Sequence, residues 1–136
     1  MISQSTDTTI NTTKEDYLHV IYDIASERDH DGLVKNSMIA EILNIKPSSI
    51  TEMIQKLDEE GYINWIKHRG IKLTKAGREL ARKIHESNQL LSVFLKEHMK
   101  LQDVVLIRKL ASILEHEVLH EPELRYAIQK VIETNK

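Results

Sequence analysis

A mainly α-helical fold carrying one short two-stranded hairpin is what this 136-residue sequence predicts. Three observations predict it. Apolar residues recur at helical spacing, as in Ile50, Met53, Ile54 and Leu57, which fall at i, i+3, i+4 and i+7. Only Tyr62-Ile63-Asn64-Trp65-Ile66 and Ile71-Lys72-Leu73 read as strands. Helix-boundary residues, namely Pro47, Gly61, Thr74, Asp103 and Pro122, fall at the edges of these segments.

Taken in order, Thr12-Thr13-Lys14-Glu15 predicts a capping box in which Thr12 and Glu15 satisfy free amides at the start of a helix. Leu18, Ile21, Ile24 and Ala25 continue it to near Arg28, where Asp29-His30-Asp31-Gly32 breaks the pattern. Asn36 or Ser37 caps a short second helix with Ile39, Ile42 and Leu43 on its apolar side. Asn44-Ile45-Lys46 is a tight connection. Pro47 then opens a third helix, where its missing N–H costs nothing, and Gly61 ends it. Lys67-His68-Arg69-Gly70 joins the two strands, with Gly70 able to take positive φ. Thr74 caps a long fourth helix over 75–99, and Asp103 caps a fifth with Ile107, Leu110, Ala111, Leu114 and Val118 as its stripe. Pro122 opens a sixth, with Leu124, Ala127, Ile128, Val131 and Ile132 on one face.

Composition narrows the function classes. Cysteine is absent, so disulfides, thiol catalysis and thiolate metal sites are excluded. No Gly-rich phosphate loop and no nucleophile–base pair can be placed, so an enzyme is not expected. No apolar run approaches a membrane span, and the polar residues 1–12 lack a signal-peptide pattern; they are expected to be a disordered tip on a cytoplasmic protein. The net charge of −2 hides an asymmetry. Residues 1–33 hold two Lys/Arg against seven Asp/Glu, residues 34–83 ten against six, and residues 84–136 seven against eight. A basic middle between acidic flanks suggests that one part of the chain faces a polyanion.

Helix, helix, helix, hairpin is the order of a winged helix-turn-helix, and the second and third helices are joined closely enough for one. The third helix begins Pro47-Ser48-Ser49-Ile50-Thr51, so small hydroxyl residues crowd its first turn and let it approach a major-groove floor. Lys46, Ser48, Ser49, Thr51, Gln55 and Lys56 lie off the apolar stripe and are expected to face double-stranded DNA. Lys67, His68 and Arg69 at the hairpin tip suit phosphate or minor-groove contact. The expected organisation is a tip at 1–12, a winged-helix DNA-binding domain at 13–83 and a helical dimerisation and metal-sensing domain at 84–136, linked by the helix over 75–99.

These residues also resemble the diphtheria toxin repressor family of metal-dependent transcriptional regulators, in the short form of the manganese transport regulators. The resemblance runs from about Glu15 to Leu124. It is carried by Glu15-Asp16-Tyr17-Leu18 with Ile21-Tyr22, Pro47-Ser48-Ser49-Ile50-Thr51-Glu52-Met53, Arg69-Gly70-Ile71-Lys72-Leu73-Thr74 with Gly77, Leu90-Leu91 with Phe94-Leu95, and Leu114-Glu115-His116. It implies a homodimer, paired through its last helices, that sets two recognition helices in successive major grooves of a palindromic operator. It further implies that a divalent transition metal between the first helix and the fourth and fifth helices promotes operator binding, with repression as the expected outcome.

Within that resemblance Asp16 matches the first-helix carboxylate, and Glu115 and His116 match a carboxylate–imidazole pair on the fifth helix. His19 stands in place of a second carboxylate, Asn88 in place of a histidine, and Ser112 in place of Glu or Cys. Asp16 and His19 share one helical face, as do Ser112, Glu115 and His116. The expected metal set is therefore Asp16, His19, Glu115 and His116, with Asn88, Ser112 and His85 as weaker candidates. Imidazole in place of carboxylate shifts the expected ion from manganese toward iron, zinc, cobalt or nickel. Ser92 and Arg108 stand where longer members carry ligands of an ancillary site, and His98 and His120 are expected to be exposed. Two alternatives stay open: a metal-independent regulator of the same fold, and a winged helix used only for protein interaction, which would show exposed apolar residues on the Ser48–Lys56 face and at the Lys67–Arg69 tip.

Overall fold

The computed structural model of the chain describes residues 13–27 and 33–134. The N-terminal tip, the Thr12 cap and the break at 29–32 lie outside the described residues. The described elements run α1 (Lys14–Ser26), α2 (Asn36–Leu43), α3 (Pro47–Glu59), β1 (Ile63–Ile66), β2 (Gly70–Leu73), α4 (Lys75–Val93), a π-helical turn (Phe94–His98), α5 (Val104–His120) and α6 (Pro122–Thr134). A mainly α fold with a two-stranded wing is therefore what the sequence forms.

α1 starts with a capping box set one residue later than Thr12 and Glu15 would place it. Thr13 Oγ1 accepts from Asp16 N–H at 3.3 Å, and Asp16 Oδ2 accepts from Thr13 N–H at 2.8 Å. Both frames satisfy the local pattern; in the observed one Glu15 is released to reach α5. α2 has neither Asn36 nor Ser37 as its cap. Lys35 holds that position without a side-chain bond, because Val34 is paired with Ile71 in an isolated bridge (Val34 N–H to Ile71 O 2.8 Å, Ile71 N–H to Val34 O 2.7 Å). Sheet pairing, not cap chemistry, fixes where this helix begins. Asn44 takes the left-handed conformation (φ 55°) to close α2, and Pro47 opens α3 as expected.

The hairpin pairs Ile63 with Leu73, Asn64 with Lys72, Trp65 with Ile71 and Ile66 with Gly70, antiparallel. His68 turns through positive φ (66°) at its tip, and Gly70 follows at 143°, where a Cβ would lie 2.9 Å from the Val34 carbonyl oxygen. Thr74 then does two jobs. Its hydroxyl donates to Gly61 O at 2.7 Å and accepts from Gly77 N–H at 3.0 Å, so the cap of α4 is tied to the end of α3.

The fourth helix does not stay regular to Met99. It ends at Val93 and widens into the π turn, with Met99 N–H bonded to Phe94 O and Leu101 N–H to Leu95 O, both at 3.1 Å. No glycine is available there, so Lys100 adopts the left-handed conformation (φ 60°) and these wider bonds satisfy the terminal carbonyls. Asp103 caps α5 through the Val105 and Leu106 amides.

Two apolar clusters result. The larger gathers Leu18 and Ile21 of α1, Ile39 of α2, Ile50, Ile54 and Leu57 of α3, Ile63 and Ile71 of the hairpin, and Ala81 and Ile84 of α4. The smaller is centred on Leu91, Ala111, Val118 and Ile128. α4 thus supplies side chains to both. The expected apolar face of α6 is only partly covered: Ile128 is buried, while Leu124, Ala127 and Val131 are exposed. Met53, expected in the α3 stripe, is half-buried at the rim of the larger cluster. Among the described residues, no helix is long and apolar enough to cross a membrane.

Candidate functional site

α3 buries one face and presents the other. Ile50, Ile54 and Leu57 are fully buried, which turns Ser48, Ser49, Thr51, Gln55 and Lys56 outward, and all five are exposed. Lys46 is exposed at the N-cap, where its side chain makes no capping hydrogen bond. The hydroxyls of Ser48 and Ser49 make no hydrogen bond among the described residues, whereas Thr51 Oγ1 turns back toward Pro47 O at 3.5 Å. Lys67, His68 and Arg69 are exposed at the hairpin tip. Two bonds fix that tip relative to the helices: Trp65 N–H donates to Asp58 Oδ1 of α3 at 3.1 Å, and Lys35 Nζ donates to Arg69 O at 2.7 Å. The outward face of α3 and the tip carry small polar and cationic groups, which can donate to phosphates and base edges. No large apolar side chain is exposed on α3 among the described residues, the feature a protein-docking helix would need.

The second assembly lies where α1 meets α4 and α5. Glu115 of α5 is 1% exposed, and its Oε1 accepts from Asn88 Nδ2 at 2.9 Å and lies 3.2 Å from His19 Nδ1. His116 places Nε2 3.3 Å from Asp16 Oδ1 and pairs Nδ1 with Glu15. Asp16, Glu115 and His116 each offer a ligand atom within 4.8 Å of the others. The capping box holds Asp16 by Oδ2 and leaves Oδ1 for His116, so the helix start and the site are built from one carboxylate.

His19 touches this group through Nδ1 only. Its Nε2 faces His85 Nδ1 at 3.3 Å and Asp23 Oδ2 at 3.6 Å, forming a second three-residue cluster with Asp23 and His85. Asn88 meets Glu115 as a donor. Ser112 is exposed and makes no bond among the described residues to either group. Ser92 hydrogen-bonds the Asn88 carbonyl at 3.0 Å, and Arg108 is exposed. His98 is not fully exposed as expected, because the π turn stacks its ring on Phe94, centroids 6.1 Å apart. His120 is exposed, yet its Nε2 lies 2.6 Å from Glu15 Oε2.

Glu15 and Asp23 are the members that sequence reasoning missed. The signal for Glu15 was the i, i+4 pair His116 and His120, whose common face needs an acceptor. That for Asp23 was its own i, i+4 relation to His19.

Burial opposes the charged forms of His19 and His116. Hydrogen bonding to Glu115 and Glu15 respectively, together with nearby carboxylate charge, outweighs it and raises both above the ordinary histidine value. Burial likewise opposes ionised Glu15, but the hydrogen bonds to His116 and His120 hold it below the ordinary carboxylate value. A histidine raised on folding stabilises the chain fully below pH 6.5, its ordinary value, and that stability fades as pH rises through the raised value. The thermal midpoint of chelator-treated protein is therefore expected to fall as pH is raised across neutrality, and to fall less in His116→Gln. Scanning calorimetry at a series of pH values checks this.

Comparison with known proteins agrees with this architecture. Residues 9–71 match the family model described as iron dependent repressor, N-terminal DNA binding domain. The HTH-type transcriptional regulator MntR of Oceanobacillus iheyensis is 38% identical over 82 residues, covering 60% of this chain and 54% of the relative. An HTH-type transcriptional regulator of Methanocaldococcus jannaschii is 39% identical over 89 residues, covering 65% of this chain and 70% of the relative. A solved manganese-dependent transcriptional repressor in complex with manganese superposes with a TM-score of 0.76 at 30% identity, over 89% of this chain and 53% of its own. The chain spans little more than half the length of the MntR relatives it matches. With one relative matched over most of its length at this identity, and with the wing, the α3 face and the α1–α5 cluster in place, the chain belongs to the iron-dependent repressor family, the diphtheria toxin repressor family that its motifs resemble.

Proposed function

We propose that this chain is a DNA-binding transcriptional repressor whose operator affinity is raised by a divalent metal ion. The observation that carries the reading is that α1, which shares the larger apolar cluster with α3, also meets α5 through Asp16, Glu115 and His116. The donor set fits a divalent ion. A carboxylate as buried as Glu115 calls for a cationic partner, and two carboxylates and an imidazole already converge there. A bound ion supplies the positive charge that holds the carboxylates of α1 and α5 together. His19 and Asn88 brace Glu115 from the side, and Glu15 holds the His116 ring. Tightening this junction fixes the winged-helix portion, about 13–83, against the helical portion, about 84–136. An ion that binds the fixed arrangement better than the loose one shifts the population toward it.

A homodimer is part of the proposal. Val104, Val105 and Leu106 at the start of α5 and Leu124 and Tyr126 of α6 are exposed apolar residues on the helical portion, more than a lone surface needs. Two copies joined there would present two α3 helices to a palindromic duplex. Sedimentation should give twice the chain mass, and Val105→Asp should shift the population toward monomer.

Binding-site selection from random duplexes, with and without Mn²⁺, Fe²⁺ or Zn²⁺, tests the reading; no selected sequence under any ion would defeat it. On a selected duplex, Arg69→Ala should weaken binding to all sequences alike and reduce the salt slope by about one. Ser49→Ala and Gln55→Ala should each cost about 1–3 kcal/mol on the preferred site and less on random DNA. Equal losses on both duplexes for all three variants would remove the α3 assignment. Asn88 donating to Glu115 favours one second reading, a metal-independent repressor. Unchanged operator affinity in stripped and metal-loaded protein would select it.

A further inference from the structure

We propose that His19, Asp23 and His85 form a separate divalent-cation site between α1 and α4, built for a zinc-class ion rather than for manganese. Asp23 stands at no position that the family resemblance marks, and this site does not depend on a metal at Asp16, Glu115 and His116.

The spacing of the donors is the first argument. Nε2 of His19 and Nδ1 of His85 are 3.3 Å apart, and the two carboxylate oxygens of Asp23 lie 3.6 Å from one nitrogen each. Ligands about 2.0–2.2 Å from a tetrahedral ion stand roughly 3.3–3.5 Å from one another. The three side chains are thus gathered at nearly the edge length of such a site. Asp23 and His19 are one turn apart on α1, and His85 meets them from α4. Asp23 is half-exposed, which leaves the open side to water as a fourth ligand.

The tautomer of His19 is the second argument. Its Nδ1 faces buried Glu115 at 3.2 Å, and in the neutral ring Nδ1–H donates a hydrogen bond to that carboxylate. The neutral ring then has its free lone pair on Nε2, directed at His85 and Asp23. A carboxylate–histidine pair of this kind orients a metal-bound imidazole and raises its basicity. Asn88 fixes Glu115 in turn, so a residue that is a poor ligand acts one step further out. The His85 ring is seated between those of His19 and Tyr22, with centroids 5.4 and 5.5 Å away. Two imidazoles and one carboxylate favour zinc, cobalt or nickel, whereas manganese prefers oxygen donors.

Chelator-stripped protein titrated with Co²⁺ and then Zn²⁺ tests this. The wild type should develop the intense visible absorption of four-coordinate Co²⁺, and Zn²⁺ should bleach it. His85→Ala and the near-isosteric Asp23→Asn should lose that absorption and bind Zn²⁺ at least about tenfold more weakly. His116→Ala should keep both signals. Operator binding with and without Mn²⁺ in the same His116→Ala protein reads the other cluster independently. The site is overturned if wild type gives no such absorption, if His85→Ala and Asp23→Asn titrate like wild type, or if His116→Ala abolishes the absorption.

Discussion

Gly77→Ala should destabilise the chain by about 3 kcal/mol or more, and lower its Tm by roughly 10 °C or more. A Cβ built on Gly77 would lie 1.8 Å from the carbonyl oxygen of Tyr62 and 2.8 Å from its carbon. Neither atom belongs to a side chain that can rotate away. The oxygen already accepts from Thr74 N–H at 3.1 Å, and Thr74 is held by Gly61 O and by the Gly77 amide. Relieving the overlap means lifting α4 off the turn between α3 and β1, which breaks the Thr74 cap and opens the larger cluster at Ala81 and Ile84. Helix propensity acts in the opposite direction, since alanine is favoured over glycine by about 1 kcal/mol within a helix. A net loss therefore isolates the steric cost. Ala76→Gly, one residue away at an exposed position, should cost only the propensity difference. Urea denaturation of the two variants beside wild type makes the comparison. Equal stability of Gly77→Ala and wild type would mean that α4 does not sit on Tyr62.

Gly77 also shows what the sequence could convey. It lay among the residues that carried the family resemblance, but no local pattern announces that a glycine in the first turn of a helix is there for a carbonyl fifteen residues earlier. The helices were legible because their apolar periodicity and their caps at Pro47, Thr74 and Asp103 are local properties. The α1 cap was one residue off because Thr12 and Thr13 each have an acidic residue three positions on, and only the reach of Glu15 to α5 distinguishes the frames. Lys35 replaced the expected cap of α2 because a bridge to Ile71, far along the chain, decides where that helix starts. The outward residues of α3 were readable for the same reason as its stripe: burying Ile50, Ile54 and Leu57 dictates the opposite face. The α1–α5 cluster needed the resemblance, because Asp16 and Glu115 lie about a hundred residues apart. Even then the direction of the His19 ring stayed hidden, since it depends on Glu115, Asn88 and His85 together.

His116→Ala should abolish the response of operator binding to metal while leaving any dimer intact. The ring is the group of α5 that faces both Glu15 and Asp16 of α1, so it links the helical portion to the start of the winged-helix portion. Removing it deletes one of three converging donors, and the remaining carboxylates of Asp16 and Glu115 face each other without the imidazole. Coupling between two sites typically amounts to about 1–3 kcal/mol, a 5–150-fold change in affinity. The variant should bind the duplex equally well in stripped and metal-loaded protein, at the level of stripped wild type. Linkage requires the converse: operator DNA should tighten metal binding by the same factor in wild type and by none in the variant. The half-buried ring points toward α1, whereas the exposed apolar residues at the start of α5 and on α6 lie elsewhere, so sedimentation should be unchanged. His120→Ala is the matched control, because it also removes a partner of Glu15 but belongs to neither three-residue cluster. If His120→Ala loses the response as fully as His116→Ala, the ion pairs of Glu15 carry the coupling and the donor set does not. If His116→Ala keeps the whole response, control resides outside the α1–α5 junction.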